Sequence, residues 1–318
     1  MGLTFQEPLL EALPEAVVWV RPDGRVGYLN PRAAHLTGWA VGDAKGHVLS
    51  DVLRLEGDGG TVVVDEMLQQ CLGTESAGER YAQLRRRDGE LVELALSGAT
   101  IRDGLGAVQG LVISFRDIGD YLKMARRLTY EANHDGLTGL VNRREALRRL
   151  QRMVASAKEQ RTEHALCYLD LDRFKQINDL AGHCTGDRVL SDVAEQLHAC
   201  VRQRDTVARL GGDEFLILLE HCPLLQAIRI GQSIRDAVAD YNLWWRGQNL
   251  RLGVSIGVVL VHGDGPPAEQ LLELADQACY EAKRGGGLNI RVRAGAIEAA
   301  SAFQPQQHVR SAGASIAG

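Results

Sequence analysis

The 318-residue sequence predicts two folded parts of different class. The N-terminal part reads as α+β, a small antiparallel sheet with short helices. One helix joins it to a C-terminal α/β part built on a central sheet. Three observations carry this reading. Residues 1–117 hold β-prone runs broken by Asp-Gly turns. Residues 118–134 carry an apolar stripe at helical spacing. Residues 135–293 alternate buried-type strands with amphipathic helices. The tail, 294–318, is rich in Ala, Ser, Gly and Gln and is expected to be disordered.

The elements follow in order. Strands are predicted at 16–20 and 26–29 around the turn Arg21-Pro22-Asp23-Gly24. Asn30 can cap a short helix with Pro31 in its first turn and Gly38 at its close. Later strands at 81–85, 91–101 and 111–115 are separated by Arg87-Asp88-Gly89 and Arg102-Asp103-Gly104, with Val92, Leu94 and Leu96 on one face. Ile118, Tyr121, Leu122, Ala125, Leu128 and Ala132 approximate a heptad stripe. That stripe fits a helix pairing with its own copy and a plain amphipathic linker equally well. Asn142 caps a helix with Ala146, Leu147, Leu150, Val154 and Ala157 on one side. A buried strand at 166–171 comes next, then a helix at 186–201, a glycine hairpin at 206–219 and a helix at 223–238. A strand at 251–261, a helix at 268–283 and a strand at 288–293 complete the part.

Composition narrows the function. Hydrophobic content of 45% and charged content of 24% are those of a globular protein. A net charge of −5 argues against a nucleic-acid surface. The longest apolar run, 252–261, is too short to span a bilayer. The N-terminus lacks a secretory signal, and the six cysteines form no CxxC pair, so the cytoplasm is the expected address.

Chemistry concentrates in RQRDTVARLGGDEF, residues 202–215. Gly211-Gly212 bares backbone to a flat or phosphorylated ligand, and the carboxylates of Asp213 and Glu214 suit a hard divalent cation. Taken alone, the hairpin reads equally as an ordinary turn with solvated acids. Asp170 ends a buried-type strand and Asp172 lies two residues on, sharing its face. With Asp213 and the Leu171 carbonyl they can form an oxygen-lined site suited to Mg²⁺, Mn²⁺ being the alternative. Helix N-capping would account for one of Asp170 and Asp172 but not both.

Two resemblances then become visible. Residues 1–117 resemble a PAS domain, a sensory module. The match lies in Leu13-Pro14-Glu15-Ala16-Val17, in Asn30-Pro31-Arg32-Ala33-Ala34 through Leu36-Thr37-Gly38-Trp39, and in Arg87-Asp88-Gly89. The exit Phe115-Arg116-Asp117-Ile118 is followed by Gly119, where threonine is common. No PAS ligand is specified. His35 and His47 read as solvated or capped histidines rather than haem ligands, Trp19 and Tyr28 as strand core, and the flavin-binding cysteine motif is absent.

Residues 135–293 resemble a GGDEF domain, the catalytic unit of diguanylate cyclases. Besides Gly211-Gly212-Asp213-Glu214-Phe215 the match includes Asp135-Gly136-Leu137-Thr138-Gly139-Leu140-Val141-Asn142-Arg143 and Asp170-Leu171-Asp172-Arg173-Phe174-Lys175 through Asn178-Asp179. Gly182-His183, Gly186-Asp187, Val254-Ser255-Ile256-Gly257 and the run 274–283 complete it. The resemblance implies a homodimer that condenses two GTP into cyclic di-GMP. It implies Asp213 as metal ligand and acceptor of the 3′-hydroxyl proton with Glu214 supporting, Asp170 and the Leu171 carbonyl as metal ligands, and Lys175 as the charge-neutralising cation. Asn178 and Asp187 would read guanine beside His183, with Gly212 and Lys283 against the nucleotide. Arg202 and Asp205 resemble the family's inhibitory product site. One departure stands out: Gly287 occupies the place of a phosphate-binding arginine, which predicts weaker GTP binding, with Arg284 or Arg291 as substitutes. The second reading is a degenerate GGDEF domain that binds GTP or cyclic di-GMP without turnover.

Overall fold

A computed structural model describes residues 10–56 and 76–293, so the tail at 294–318 lies outside the described residues. The chain divides into two compact units, Met1–Leu128 and Thr129–Gly318.

The first unit is a six-stranded antiparallel sheet in the order β2-β1-β6-β5-β4-β3. Its strands are β1 (Ala16–Val20), β2 (Val26–Leu29), β3 (Leu55–Glu56), β4 (Ser76–Arg85), β5 (Leu91–Arg102) and β6 (Val108–Asp117). Short helices α1 (Pro31–Thr37), α2 (Val41–Ala44) and α3 (Leu49–Val52) sit between β2 and β3, where the sequence puts them. Asn30 anchors the fold. Fully buried, it accepts from Val17 N (2.9 Å) and Ala33 N (2.8 Å) and donates to the Glu15 carbonyl (2.9 Å). It therefore caps α1 and ties it to β1. Val18, Leu29, Leu84, Leu94, Ile113 and Phe115 form the core on one sheet face. Trp19 points to the other face and crosses Gly27 and Gly110, where an added Cβ would lie 2.4 Å from its ring. The sheet gains a strand over the sequence expectation because the two-residue β3 is too short to leave a periodic signal.

Helix α4 (Gly119–Asn133) buries none of its residues, and Tyr121, Met124 and Leu128 of the stripe region are exposed.

The second unit has a six-stranded sheet, β14-β13-β8-β10-β9-β7. The strands are β7 (Val141–Asn142), β8 (His164–Asp172), β9 (Thr206–Gly211), β10 (Glu214–Leu219), β13 (Gly253–Val261) and β14 (Ile290–Arg293). Helices α5 (Arg143–Gln160), α6 (Phe174–Ala181), α7 (His183–Ala199), α8 (Leu224–Ala239) and α9 (Ala268–Arg284) cover the sheet. Central β8 pairs antiparallel with both β10 and β13. Alternation along β8 sends Cys167, Leu169 and Leu171 into one core with α6, α7 and α8 residues. Leu166 and Tyr168 enter the other core with α5 and α9 residues. Asp170 and Asp172 continue the Tyr168 side, so the acids point toward α9. Helix α9 comes close there because Gly257 has no side chain: an added Cβ would sit 2.1 Å from the Ala275 carbonyl.

Two expectations change. The strand anticipated at 251–261 is broken at Leu252, and β12 (Gln248–Arg251) instead pairs with β11 (Asn242–Trp245) in a separate hairpin. Its turn, Arg246 (φ 47°) and Gly247 (φ 81°), has the paired left-handed residues of a tight hairpin without the usual Asn-Gly sequence. Helix α7 begins at His183, immediately after Gly182 (φ 83°) ends α6.

Candidate active site

The site gathers at the C-terminal end of β8 and the tip between β9 and β10. Gly211 (φ 147°) and Gly212 (φ 54°) make the turn, and the register shifts by one residue between Glu214 and Phe215. This bulge re-aims the acidic tip relative to the strands beneath it. Leu171 N donates to the Asp213 carbonyl (3.2 Å), which fastens the tip to β8. Arg209 fixes its other side. Its guanidinium donates to the Gly212 carbonyl (3.0 and 2.8 Å) and to the Asp135 carboxylate (3.0 and 3.3 Å). Burial pushes the Asp135 carboxyl up, but Thr138 and Arg209 outweigh it and hold Asp135 below the usual carboxylate range. Sequence reasoning missed this clamp. Asp135 and Arg209 both lie inside the quoted motifs, but 74 residues separate them.

Charge inside the site is unbalanced. Asp170 is raised, first by burial and further by Asp213 and Asp172, although Lys283 on α9 hydrogen-bonds it and pulls the other way. Glu214 is raised too, by burial and by Asp170, Asp276 and Asp213, against a hydrogen bond from the Tyr168 hydroxyl. Lys283 is the counterpart: burial lowers it, but Asp170 prevails and keeps it firmly protonated. Tyr168 and Asp276 were not singled out by sequence. Tyr168 shares the face of Asp170 two residues earlier, which is the signal that could have found it.

Two sequence readings of the acids are corrected. N-capping explains neither Asp170 nor Asp172, because the residue leading into α6 is Arg173 (φ 64°), with no side-chain cap. Asp172 does not join Asp170 and Asp213 as an open ligand. Its oxygens accept from Ser255 Oγ (2.9 Å) and Leu288 N (2.8 Å). Among the described residues no three His, Cys, Asp or Glu side chains form a ready-made metal cage. The remaining donors still fit a hard divalent cation. Asp170 and Asp213 are carboxylates close enough to repel, and the Lys283 ammonium now supplies positive charge at that point.

The other expected residues lie on α6, α7 and α9 and in the loop before β9. Lys175 is exposed in the first turn of α6. Asn178, farther along α6, has a buried Oδ1 with no hydrogen-bond partner; a Cβ added at Gly186 would lie 1.8 Å from it. An orphaned acceptor of this kind calls for an explanation, a ligand donor being one. His183 and Asp187 are exposed on α7, four residues apart and so on one face. Arg284 lies over the Tyr280 ring (5.9 Å). Arg202 and Asp205 precede β9, at the end opposite the hairpin tip, roughly 20 Å away at strand rise. Both Asp205 oxygens accept backbone N–H groups, from Arg202 (3.0 Å) and Glu220 (3.1 Å). The Arg202 side chain is exposed.

No helix among the described residues is long and apolar enough to cross a membrane.

Comparison with known proteins agrees with this geometry. Residues 132–289 match the family described as diguanylate cyclase, GGDEF domain, and residues 6–118 match the PAS fold. The probable diguanylate cyclase DgcE of Escherichia coli is 34% identical over 299 residues, covering 94% of this chain and 26% of DgcE. The cyclic di-GMP phosphodiesterase PdeB of Shewanella oneidensis is 30% identical over 289 residues, 89% of this chain and 32% of PdeB. The chain thus spans about a third or less of these relatives' length. The crystal structure of the coiled coil and GGDEF domain of DgcB from Caulobacter crescentus, in complex with c-di-GMP, superposes with a TM-score of 0.53 at 30% identity. It covers 55% of this chain and 93% of that one. With a bulged Gly-Gly-Asp-Glu tip set against the acidic end of β8, and a PAS fold ahead of it, this chain belongs to the GGDEF family of diguanylate cyclase domains.

Proposed function

We propose that the chain is a PAS-regulated diguanylate cyclase acting in the cytoplasm, joining two GTP molecules into cyclic di-GMP with release of two pyrophosphates. One observation carries the reading. Asp170 and Glu214, both raised by burial and by neighbouring carboxylates, crowd the strand end that Lys283 reaches. A divalent cation arriving with a triphosphate supplies the positive charge this cluster lacks. Asp170, Asp213 and the Leu171 carbonyl would hold Mg²⁺ or Mn²⁺. When bound, that ion polarises the α-phosphate and acidifies the attacking hydroxyl.

The chain's own residues do the rest. Asp213, with Glu214 beside it, takes the proton from the 3′-hydroxyl, whose oxygen attacks the α-phosphorus of the second GTP as the bond to pyrophosphate breaks. Lys175 and Lys283 neutralise phosphate charge. Gly212 leaves room for the nucleotide over the tip. Asn178 Oδ1 accepts from guanine N–H while Asp187 and His183 flank the base; adenine would leave that acceptor unmet. Each domain binds one GTP, so two copies must face each other, and a homodimer follows. The PAS unit and α4 would set how often the halves meet. Product would inhibit at the exposed Arg202, with Asp205 shaping the loop.

A second reading, nucleotide binding without turnover, draws on Gly287 in the place of arginine and on PdeB, a relative named as a phosphodiesterase. The deciding experiment incubates the full chain, stripped of bound nucleotide, with GTP and Mg²⁺ beside Asp213→Ala. Cyclic di-GMP from the wild type alone supports the cyclase. No product from either, with GTP still bound, replaces it with the binding module.

A further inference from the structure

We propose that Asp172 is a positioning residue of the nucleotide site, a latch that holds the glycine loop after α9 and so sets Lys283 against Asp170. The inference rests on the cyclase reading for its effect on nucleotide binding. Leu288 is the starting point. It is a non-glycine residue at φ 53°, a left-handed backbone that is strained for a side chain-bearing residue. Such a conformation persists where its surroundings over-determine it. Here Leu288 N donates to Asp172 Oδ2 at 2.8 Å. The Leu288 side chain lies over Gly253, where an added Cβ would stand 2.6 Å from its Cδ2.

The acceptor is itself held. Asp172 is 7% exposed, and its other oxygen accepts from the fully buried Ser255 Oγ at 2.9 Å. One carboxylate thereby joins the end of β8, the start of β13 and the loop that follows α9. The N–H groups of Gly286 and Gly287 both turn back to the Lys283 carbonyl, at 3.3 and 3.1 Å. They are not offered to phosphate. The loop is a strut on the residue whose ammonium pairs with Asp170.

This accounts for glycine at 287. Its φ is 73°, and a Cβ there would meet both Asp172 oxygens at 3.0–3.3 Å. An arginine in this place would hold a left-handed backbone and press on the Asp172 carboxylate, so it strains the latch.

The test uses the full chain with 3′-deoxy-GTP and Mg²⁺; the analogue lacks the attacking hydroxyl, so binding is read without turnover. We expect the Leu288 amide to be protected from hydrogen exchange in the wild type and unprotected in Asp172→Ala, which removes the acceptor. Analogue affinity should fall about three- to tenfold in Asp172→Ala, and GTP turnover should show a raised KM with kcat nearly kept, because Asp172 does not touch the reacting atoms. Gly287→Arg should weaken binding as well. Tighter binding by Gly287→Arg, or equal Leu288 exchange in wild type and Asp172→Ala, overturns the latch. Should Asp172→Ala fail to fold, Ser255→Ala keeps the carboxylate and should give a smaller loss in the same direction; unchanged affinity there overturns the positioning role. A folded wild type that binds no nucleotide defeats the cyclase reading and the positioning role with it, while Leu288 exchange separately decides whether the latch exists.

Discussion

Replacing Arg209 with alanine probes how rigidly the catalytic tip must be held. The side chain is 12% exposed and its partner Asp135 23%, so the pair is partly buried. The change removes the bonds to the Gly212 carbonyl and to Asp135 together. Asp135 keeps the Thr138 N–H (2.9 Å) and hydroxyl (2.7 Å), and the Gly212 carbonyl opens to solvent, so neither partner is fully stranded. A hydrogen bond to a charged group contributes about 1.5–3 kcal/mol, and the pair is only partly buried, so we expect a loss of about 2–3 kcal/mol. For a unit of this size that lowers the unfolding midpoint by about 5–10 °C. Turnover should fall further than stability explains, because a tip with one side untied samples orientations in which Asp213 misses its target. Arg209→Lys should recover little, since one ammonium cannot span Gly212 and Asp135 as a fork does. Calorimetry and pyrophosphate release at a temperature where every variant is folded check this. Wild-type turnover in a folded Arg209→Ala protein would refute the argument that the clamp orients the tip.

Three further outcomes follow from the charges and the orphaned acceptor. Asp170 and Glu214 are raised in the fold, so their ionisation costs stability as pH rises through the raised values; added Mg²⁺ or Mn²⁺ should lift the unfolding midpoint at pH 7, with the gain shrinking toward about pH 4, as calorimetry across pH can measure. Asn178→Leu removes a buried acceptor that has no partner, so stability should change by less than about 1 kcal/mol or rise, while competition between GTP and ATP should show guanine preference falling. Burial pushes Glu145 up, yet Arg149, Arg148 and Arg152 outweigh it and hold it low. Its contribution is present above the ordinary carboxyl pKa and lost as pH falls through the depressed value. Because the arginines face water, Glu145→Gln should cost only about 1 kcal/mol at pH 7 in urea unfolding, and less than that in acid.

Much of the fold can be read from local chemistry. Asn30 and Asn142 cap the helices expected of them, and Gly38 closes the first at φ 74°. These features work within a few residues, so sequence spacing exposes them. The β11–β12 hairpin escapes because its turn is Arg246-Gly247, and an arginine gives no hint that it will adopt a left-handed backbone. The join between α6 and α7 escapes because one glycine, Gly182, both ends a helix and starts the next, leaving no linker to notice.

The site divides along the same line. Residue type and period-two spacing place Asp170 and Asp172 correctly on one face, but a face does not determine a partner. Asp172 meets Ser255, 83 residues away, and Leu288, 116 residues away, and both of its oxygens are satisfied. Asp170 meets one ammonium amid several carboxylates and remains raised. Two acids with the same sequence signature thus take opposite parts, one compensated and structural, the other under-compensated and receptive to a cation and phosphate. What separates them is long-range pairing, and that pairing turns on Gly287 and Gly253, whose missing side chains let the loop reach the carboxylate. The glycine at 287 and the pairing of Asp172 with Leu288 meet at one place, because a side chain at 287 would press on the carboxylate that accepts from Leu288 N.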